Sequence, residues 1–171
     1  VTAEGGFFVT TNKGTTWSVK SGTENLTGSC ASLCIDYTND QNIFLGTGDA
    51  NYYSNGSGIL KSTDGGTTFN ATSLTNCLVV HMIQNPLNSS QFIAATNKGI
   101  YKSTNSGANW TAKTSTTLQF VDMRMNPGTG SKTLYACTRD NNPRLYKSTD
   151  FGDNWTELLP GFTYAVNYTT G

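Results

Sequence analysis

The stretch KSTDGGTTF, residues 61–69, decides the fold, because it returns as KSTNSGANW at 102–110, as KSTDFGDNW at 147–155 and, more degraded, as VTTNKGTTW at 9–17. A motif used four times in 171 residues reads as punctuation in a repeat rather than as four active sites. Gly14, Gly66, Gly107 and Gly152 hold the same place in every copy, as expected where the chain reverses with positive φ. Two residues earlier stands Asn12, Asp64, Asn105 or Asp150, each with a short side-chain oxygen able to accept hydrogen bonds from the turn's own N–H groups. Exchanging Asp for Asn removes the charge and keeps the acceptor, which a turn staple tolerates and a catalytic acid does not. The closing aromatic, Trp17, Phe69, Trp110 or Trp155, is expected to pin the turn against a sheet.

Those aromatics are spaced by 52, 41 and 45 residues, a period of propeller blades or solenoid units. Upstream of the motif, DYTNDQNIFLGT (36–47) aligns without a gap on NPLNSSQFIAAT (85–96), and NPGTGSKTLYACT (126–138) follows with one extra residue. Each unit holds four short apolar runs, as in LVVHMI, QFIAAT, GIYKS and NWTAKT of the third. Four strands per period make a propeller blade, and the runs lack the clean alternation of a sheet with one wet face, so sheets covered on both faces are expected. No segment carries a helical period of useful length.

The expected fold is therefore all-β, a propeller of four-stranded antiparallel blades. Complete blades are expected at 28–74, 77–115 and 118–160, with 1–20 supplying the last two strands of one blade and 162–171 the first strand of another. Propellers usually have four to eight blades, so the set is expected to be an incomplete part of a larger propeller, with the remainder of the chain missing. A small ring closed by the C-terminal strand would leave an unpaired edge.

The bulk numbers exclude several functions. Eleven basic residues balance 11 acidic ones, which gives no electrostatic footprint for nucleic acid or an anionic membrane. No apolar run approaches the roughly 20 residues that span a bilayer. A surface of Thr, Ser, Asn and Gly suits an extracellular or cell-surface protein. Cys30, Cys34, Cys77 and Cys137 form no CxxC pair, and His81 is the only histidine, which disfavours zinc; disulfides and buried thiols both remain open.

With S/T-x-D-x-G-x-x-W at the turn of a four-stranded repeat, the chain resembles the Asp-box, or bacterial neuraminidase repeat, propellers. IFLGTGD followed by SGILKSTDGGTTF looks most like the sortilin-like and xyloglucanase-like group of extracellular propellers. Sialidases are further away: that resemblance would require an arginine triad around the ring, whereas Arg124, Arg139 and Arg144 sit in one unit. YACTRD (135–140) resembles the xyloglucanase segment that carries a catalytic aspartate, but Arg139 stands where that aspartate would be.

Function is expected on the connections between strands two and three, on the face away from the motif turns. The connection is minimal in TNKG (96–99), long in GDANYYSNGSG (48–58) and intermediate in RDNNPR (139–144). Asp49, Tyr52 and Tyr53, with Arg139, are the ligand-binding candidates, since tyrosines beside a carboxylate stack on sugar rings and bind hydroxyls. A calcium reading of Asp49, Asn51 and Asn55 is weakly supported, because Tyr53 and Leu60 stand where an EF-hand has ligands; no cofactor is otherwise expected. Glycoside hydrolysis needs two facing carboxylates. Asp36, Asp49, Asp122 and Asp140 are the candidates outside the motif, of which Asp49 and Asp140 are retained as weak catalytic candidates and Asp36 is assigned to a turn. His81 aligns with Ser32 and Asp122 but makes no nucleophile–base arrangement. The first expectation is a non-catalytic module that binds protein or polysaccharide at the loop face. The alternatives are a fragment of an extracellular endo-glycosidase acting by an aspartate pair, and a structural subunit of a surface assembly.

Overall fold

A computed structural model describes residues 2–3, 6–20, 29–50, 54–128, 130–139 and 143–159. Every element among them is a β-strand. Three sheets have four antiparallel strands in sequential order. The first is β4 (Cys30–Ile35), β5 (Ile43–Asp49), β6 (Ser54–Ser62) and β7 (Asn70–Ala71). The next are β8 (Val79–Asn85), β9 (Asn88–Thr96), β10 (Gly99–Ser103) and β11 (Thr111–Ala112), then β12 (Phe120–Met125), β13 (Leu134–Thr138), β14 (Leu145–Ser148) and β15 (Thr156–Leu159). An N-terminal sheet holds β1 (Thr2–Ala3), β2 (Gly6–Val9) and β3 (Ser18–Val19). Its two-residue β1 is a strand more than the apolar pattern of 1–20 shows, because backbone pairing of Thr2 with Phe7 and Ala3 with Gly6 needs no apolar side chain.

First strands lie side by side, β4 beside β8 and β8 beside β12, and β1 lies against β4. They form the inner ring of an all-β propeller arc. The middle strands explain the unalternating apolar runs. On β5, Ile43 and Leu45 face back into a cluster with Phe7, while Phe44 faces forward into one with Phe92 and Ala94. On β9, Phe92 and Ala94 face back, while Ile93 and Ala95 face forward onto Phe120, Leu134 and Ala136. Side chains alternate across a strand, so a strand buried on both faces is apolar throughout. The core is thus a series of layers between blades rather than one central cluster. Burying a Phe or Ile in such a layer contributes about 1.5–3 kcal/mol.

The motif turns join strands three and four at one end of the sheets. Ser62 Oγ accepts from Gly66 N at 2.8 Å and donates to Asp64 Oδ1 at 2.8 Å, and Asp64 Oδ1 accepts from Thr67 N at 2.9 Å and Thr68 N at 2.8 Å. The two serine bonds and the bond from the Thr68 position recur at Ser103, Asn105, Gly107 and Asn109, and at Ser148, Asp150, Gly152 and Asn154. Thr10, Asn12, Gly14 and Thr16 repeat them in the degraded copy. The four glycines have φ of 89°, 83°, 77° and 80° in chain order. The residue before each also has positive φ, including Lys13 at 57° and Phe151 at 55°.

Each glycine is also a point of contact. A Cβ at Gly66 would lie 2.8 Å from Phe7 Cε1, and one at Gly107 or Gly152 would collide with Phe44 or Ile93. The turn therefore seats itself on the middle strand of the preceding blade, which only a residue without a side chain permits. Lysines of the preceding blade reach across the seam: Lys61 Nζ donates to Ser106 O at 2.8 Å, and Lys102 Nζ, on a buried residue, pairs with Asp153 Oδ2 at 2.7 Å. Among the closing aromatics, Phe69, Trp110 and Trp155 pack against the interblade clusters. Trp17 corrects the expectation: it is 49% exposed, since among the described residues no blade precedes it.

Candidate functional site

The second and third strands of each blade meet at the end away from the motif turns. Register pairs Ile43 with Ser62 at the motif end and Asp49 with Ser54 at the other. That places Asp49, half-buried at the tip of β5, on the loop face. Asn97 and Lys98 form the minimal connection of the next blade, and Arg139 begins the connection after β13. Arg139 is exposed, and its backbone N–H is held by Gln119 O at 2.8 Å. Tyr52, Tyr53 and Asp140 lie outside the described residues. The sheet β8–β11 stands between the blade carrying Asp49 and the blade carrying Arg139, so the two candidates share a face without being neighbours.

Asn97, which the sequence pattern did not single out, is the bolt of this face. Its Oδ1 accepts from Leu78 N at 2.9 Å, while its Nδ2 donates to Asn55 Oδ1 at 2.7 Å. The bond spans from the connection after β9 back to β6 and holds the long connection's return strand against the next blade. It also engages the Asn55 oxygen that the calcium reading required, and Asn51 lies outside the described residues. Among the described residues no group of three or more His, Cys, Asp or Glu side chains is arranged to hold a metal ion. Lys98 Nζ donates to Asn76 O, which places a cation on the same face.

The carboxylates at the motif end are occupied by structure. Hydrogen bonds from the Thr68 hydroxyl and N–H, the Ser62 hydroxyl and Thr67 N–H hold Asp64 down to about 2. At Asp150 burial pushes upward, but bonds from Asn154 and Ser148 outweigh it and the carboxyl again titrates at about 2. Asp36 behaves alike: burial raises it, while Thr38, Gln84 and Asn42 bring it to about 2. Asp36 Oδ1 accepts from Thr38 N at 2.9 Å, as Asn85 does from Leu87 and Asn126 from Gly128, so it is a turn residue repeated in three blades. Permanently ionised carboxylates are the reverse of a general acid, whose pKa must be raised.

On the inner strands Ser32 Oγ donates to Val79 O at 2.7 Å, one strand along the ring. His81 is half-buried, with Arg124 Nη1 3.3 Å from both ring nitrogens. Burial first, and then the Arg124 charge, lower its pKa from the usual 6.5, and Asp122 only partly opposes them. Asp122 Oδ2 in turn pairs with Arg124 Nε at 3.2 Å. The aligned Ser32, His81 and Asp122 therefore join neighbouring inner strands or their own, and make no relay. All four cysteines are free thiols, and burial raises Cys34 and Cys77 to about 11, leaving them protonated and inert at neutral pH.

Fold and repeated turn define a β-propeller of the sortilin-like and xyloglucanase-like kind. The chain belongs to the Sortilin-Vps10 family: the family described as sortilin, neurotensin receptor 3, matches residues 57–170. Among solved structures it is similar to an ancestral GH74 enzyme, with TM-score 0.72 and 21% identity over 94% of this chain and 24% of that one. It is similar to the Niastella koreensis GH74 enzyme, with TM-score 0.62 and 26% identity over 94% of this chain and 27% of that one. A third likeness, the GH74 xyloglucanase of Xanthomonas campestris, has TM-score 0.71 and 15% identity over 91% of this chain and 27% of that one. YCF48 bound to D1 peptide matches with TM-score 0.53 and 14% identity over 81% of this chain and 43% of that one. The chain thus spans about a quarter of the length of the GH74 structures, an incomplete part of a larger propeller. No curated protein matches it in sequence.

Proposed function

We propose that the chain is part of a secreted or cell-surface propeller module that binds a protein or a glycan, without catalysis, through the face carrying Asp49 and Arg139, with Tyr52 and Tyr53 of the same connection as further ligand-binding candidates. The observation that carries this reading is the division of labour between the two ends of the sheets. At one end Asp36, Asp64 and Asp150 are consumed by turns. At the other, connections of unequal length rise from a scaffold bolted by Asn97. Ligands bind where a rigid scaffold presents variable loops. Membership of the Sortilin-Vps10 family and the likenesses to GH74 enzymes support an extracellular setting.

Affinity electrophoresis in gels containing xyloglucan, together with an array of unstructured peptides, tests the reading. Wild type should be retained by one probe class, and Asp49→Ala and Arg139→Ala should each weaken retention about tenfold, the effect of losing a charged hydrogen bond. Asp64→Asn, at the opposite end, should not. Loss of retention in the motif variant alone would sink the loop-face assignment.

A second reading is favoured by the 26% identity to the Niastella koreensis GH74 enzyme. In it the chain is part of an endo-glycosidase, Asp49 or Asp140 supplies one carboxylate, and the partner lies beyond these 171 residues. Reducing-end release from xyloglucan by the full-length protein, abolished in Asp49→Asn or Asp140→Asn, would establish it. A structural subunit of a surface assembly would bind neither probe.

A further inference from the structure

The first strands of the three four-stranded sheets carry one local device with three different side chains. Each strand is bulged toward its loop-face end, between Cys30 and Ser32, between Val79 and His81, and between Phe120 and Asp122. A bulge re-aims a side chain, and Ser32 and His81 both reach the next first strand along the ring. Ser32 donates its hydroxyl to Val79 O at 2.7 Å, a bond without a titrating partner. One seam further on His81 holds the same register, opposite Ala95 as Ser32 is opposite Gly46. Arg124 Nη1, from β12, lies 3.3 Å from each of its ring nitrogens, between the two rather than on one lone pair. Such a contact suits either neutral tautomer and fails when both nitrogens carry protons. Asp122 Oδ2 holds the same guanidinium through Nε at 3.2 Å.

We propose that His81 is an acid-operated latch on the β8–β12 seam. Neutral, its ring seats Arg124 across the two blades; protonated, it repels the guanidinium and claims Asp122 in its place. The β4–β8 seam, bonded by Ser32, keeps its hold. The charges that act on the ring are those of Arg124 and Asp122. On the other elements packed against β8, Cys30 and Cys34 of β4 are thiols that burial keeps protonated, Lys61 of β6 bonds to Ser106 O, Asp49 stands at the far tip of β5, and β9 has no titrating residue. Burial and the Arg124 charge hold the ring below its usual 6.5, so the unfolded chain takes the proton first. The latch is therefore closed above about pH 6.5, and its contribution is lost as pH falls from there to the folded value. That loss begins well above the region where Asp36, Asp64 and Asp150 titrate. The inference does not depend on what the loop face binds.

The full-length chain, isotope-labelled at its histidine and arginine side chains, is titrated by NMR between about pH 7.5 and pH 5. The Arg124 Nε–H resonance should move with the same midpoint as the His81 ring. Arg124→Ala should raise that midpoint, because the repelling cation is gone, and Asp122→Asn should lower it. Over the same range, hydrogen exchange of β12 amides, corrected for its intrinsic pH dependence, should quicken about threefold, the effect of one partly exposed charge contact. Amides of β4 should not change. His81→Gln, which keeps an acceptor and takes no charge, should abolish the quickening. The Arg124 side chain is 67% exposed, so Arg124→Ala carries the test even where His81→Gln does not fold. An Arg124 resonance indifferent to the His81 midpoint overturns the proposal, as does a midpoint that Arg124→Ala leaves in place. Quickening that persists in His81→Gln assigns the acid response to another group and overturns it equally.

Discussion

At Asp150 one side chain does the work of a small hydrogen-bond network. It accepts from Asn154 N at 2.9 Å and from the Ser148 hydroxyl at 2.8 Å, so the turn closes without outside help. Asn105 and Asn12 fill the same place with one oxygen. Asp150→Asn should therefore leave stability close to wild type. Asp150→Ala should cost about 1 kcal/mol, discounted for solvent access, in a urea titration. A second expectation concerns acid. Asp36, Asp64 and Asp150 all titrate at about 2 in the folded chain, below the ordinary 3.8. Depressed pKa values mean a contribution that is complete above the unfolded value and lost as pH falls toward the folded one. Thermal stability should thus drop between about pH 4 and pH 2, and the double variant Asp64→Asn/Asp150→Asn should flatten that drop; an unchanged slope would refute the assignment. The acceptor and the glycine were legible because they repeat. The hydroxyls of Thr10, Ser62, Ser103 and Ser148 repeat as faithfully, yet their partner is a backbone N–H, which composition does not display.

Between elements, the seam is where sequence and structure diverge most. The spacing of apolar residues disclosed strands buried on both faces, but nothing in it said that Gly107 rests on Phe44 or that Lys102 crosses to Asp153. Such contacts join residues 63 and 51 positions apart and depend on the angle between sheets. Gly107→Ala should cost about 2–4 kcal/mol, combining strain at a φ of 77° with collision against the ring. Adding Phe44→Leu should recover part of the loss in a double-mutant cycle, since the smaller side chain makes room; strict additivity would show that the two do not touch. At the lysine bridge, Asp153→Ala should cost about 1–2 kcal/mol in the same titration, less than a fully buried pair, because the Asp153 side chain is 47% exposed. Lys102→Met, which removes the charge and keeps the stem, should stay within about 1 kcal/mol of wild type. The loop-face site was legible only as lengths of connection; its organising residue, Asn97, sat in the shortest of them and drew no notice.

Over the whole molecule, stability has the character of a linear array. Each blade touches its neighbours along the ring and, among the described residues, no central core joins all four sheets, since the three apolar clusters there lie one to a seam. Repeat proteins of this kind hold together by intrinsic unit terms and nearest-neighbour terms. The interior sheets have both faces covered: Leu45 and Phe44 on β5, and Ala94 and Ile93 on β9, are at most 1% exposed. The N-terminal sheet has fewer such anchors, with Phe7 as its buried apolar residue and Trp17 and Val19 exposed. Native-state hydrogen exchange should therefore be graded rather than uniform. Amides of Phe44, Leu45, Ile93 and Ala94 should exchange only through global opening, and Phe8 and Val9 should exchange through a lower-energy local opening of the N-terminal sheet. Phe7→Ala should sharpen the gradient, speeding β2 and leaving β9 unchanged, because the layer it weakens lies two seams from the β9–β13 contact. Uniform acceleration of β2 and β9 by that substitution would show one cooperative unit in place of coupled blades.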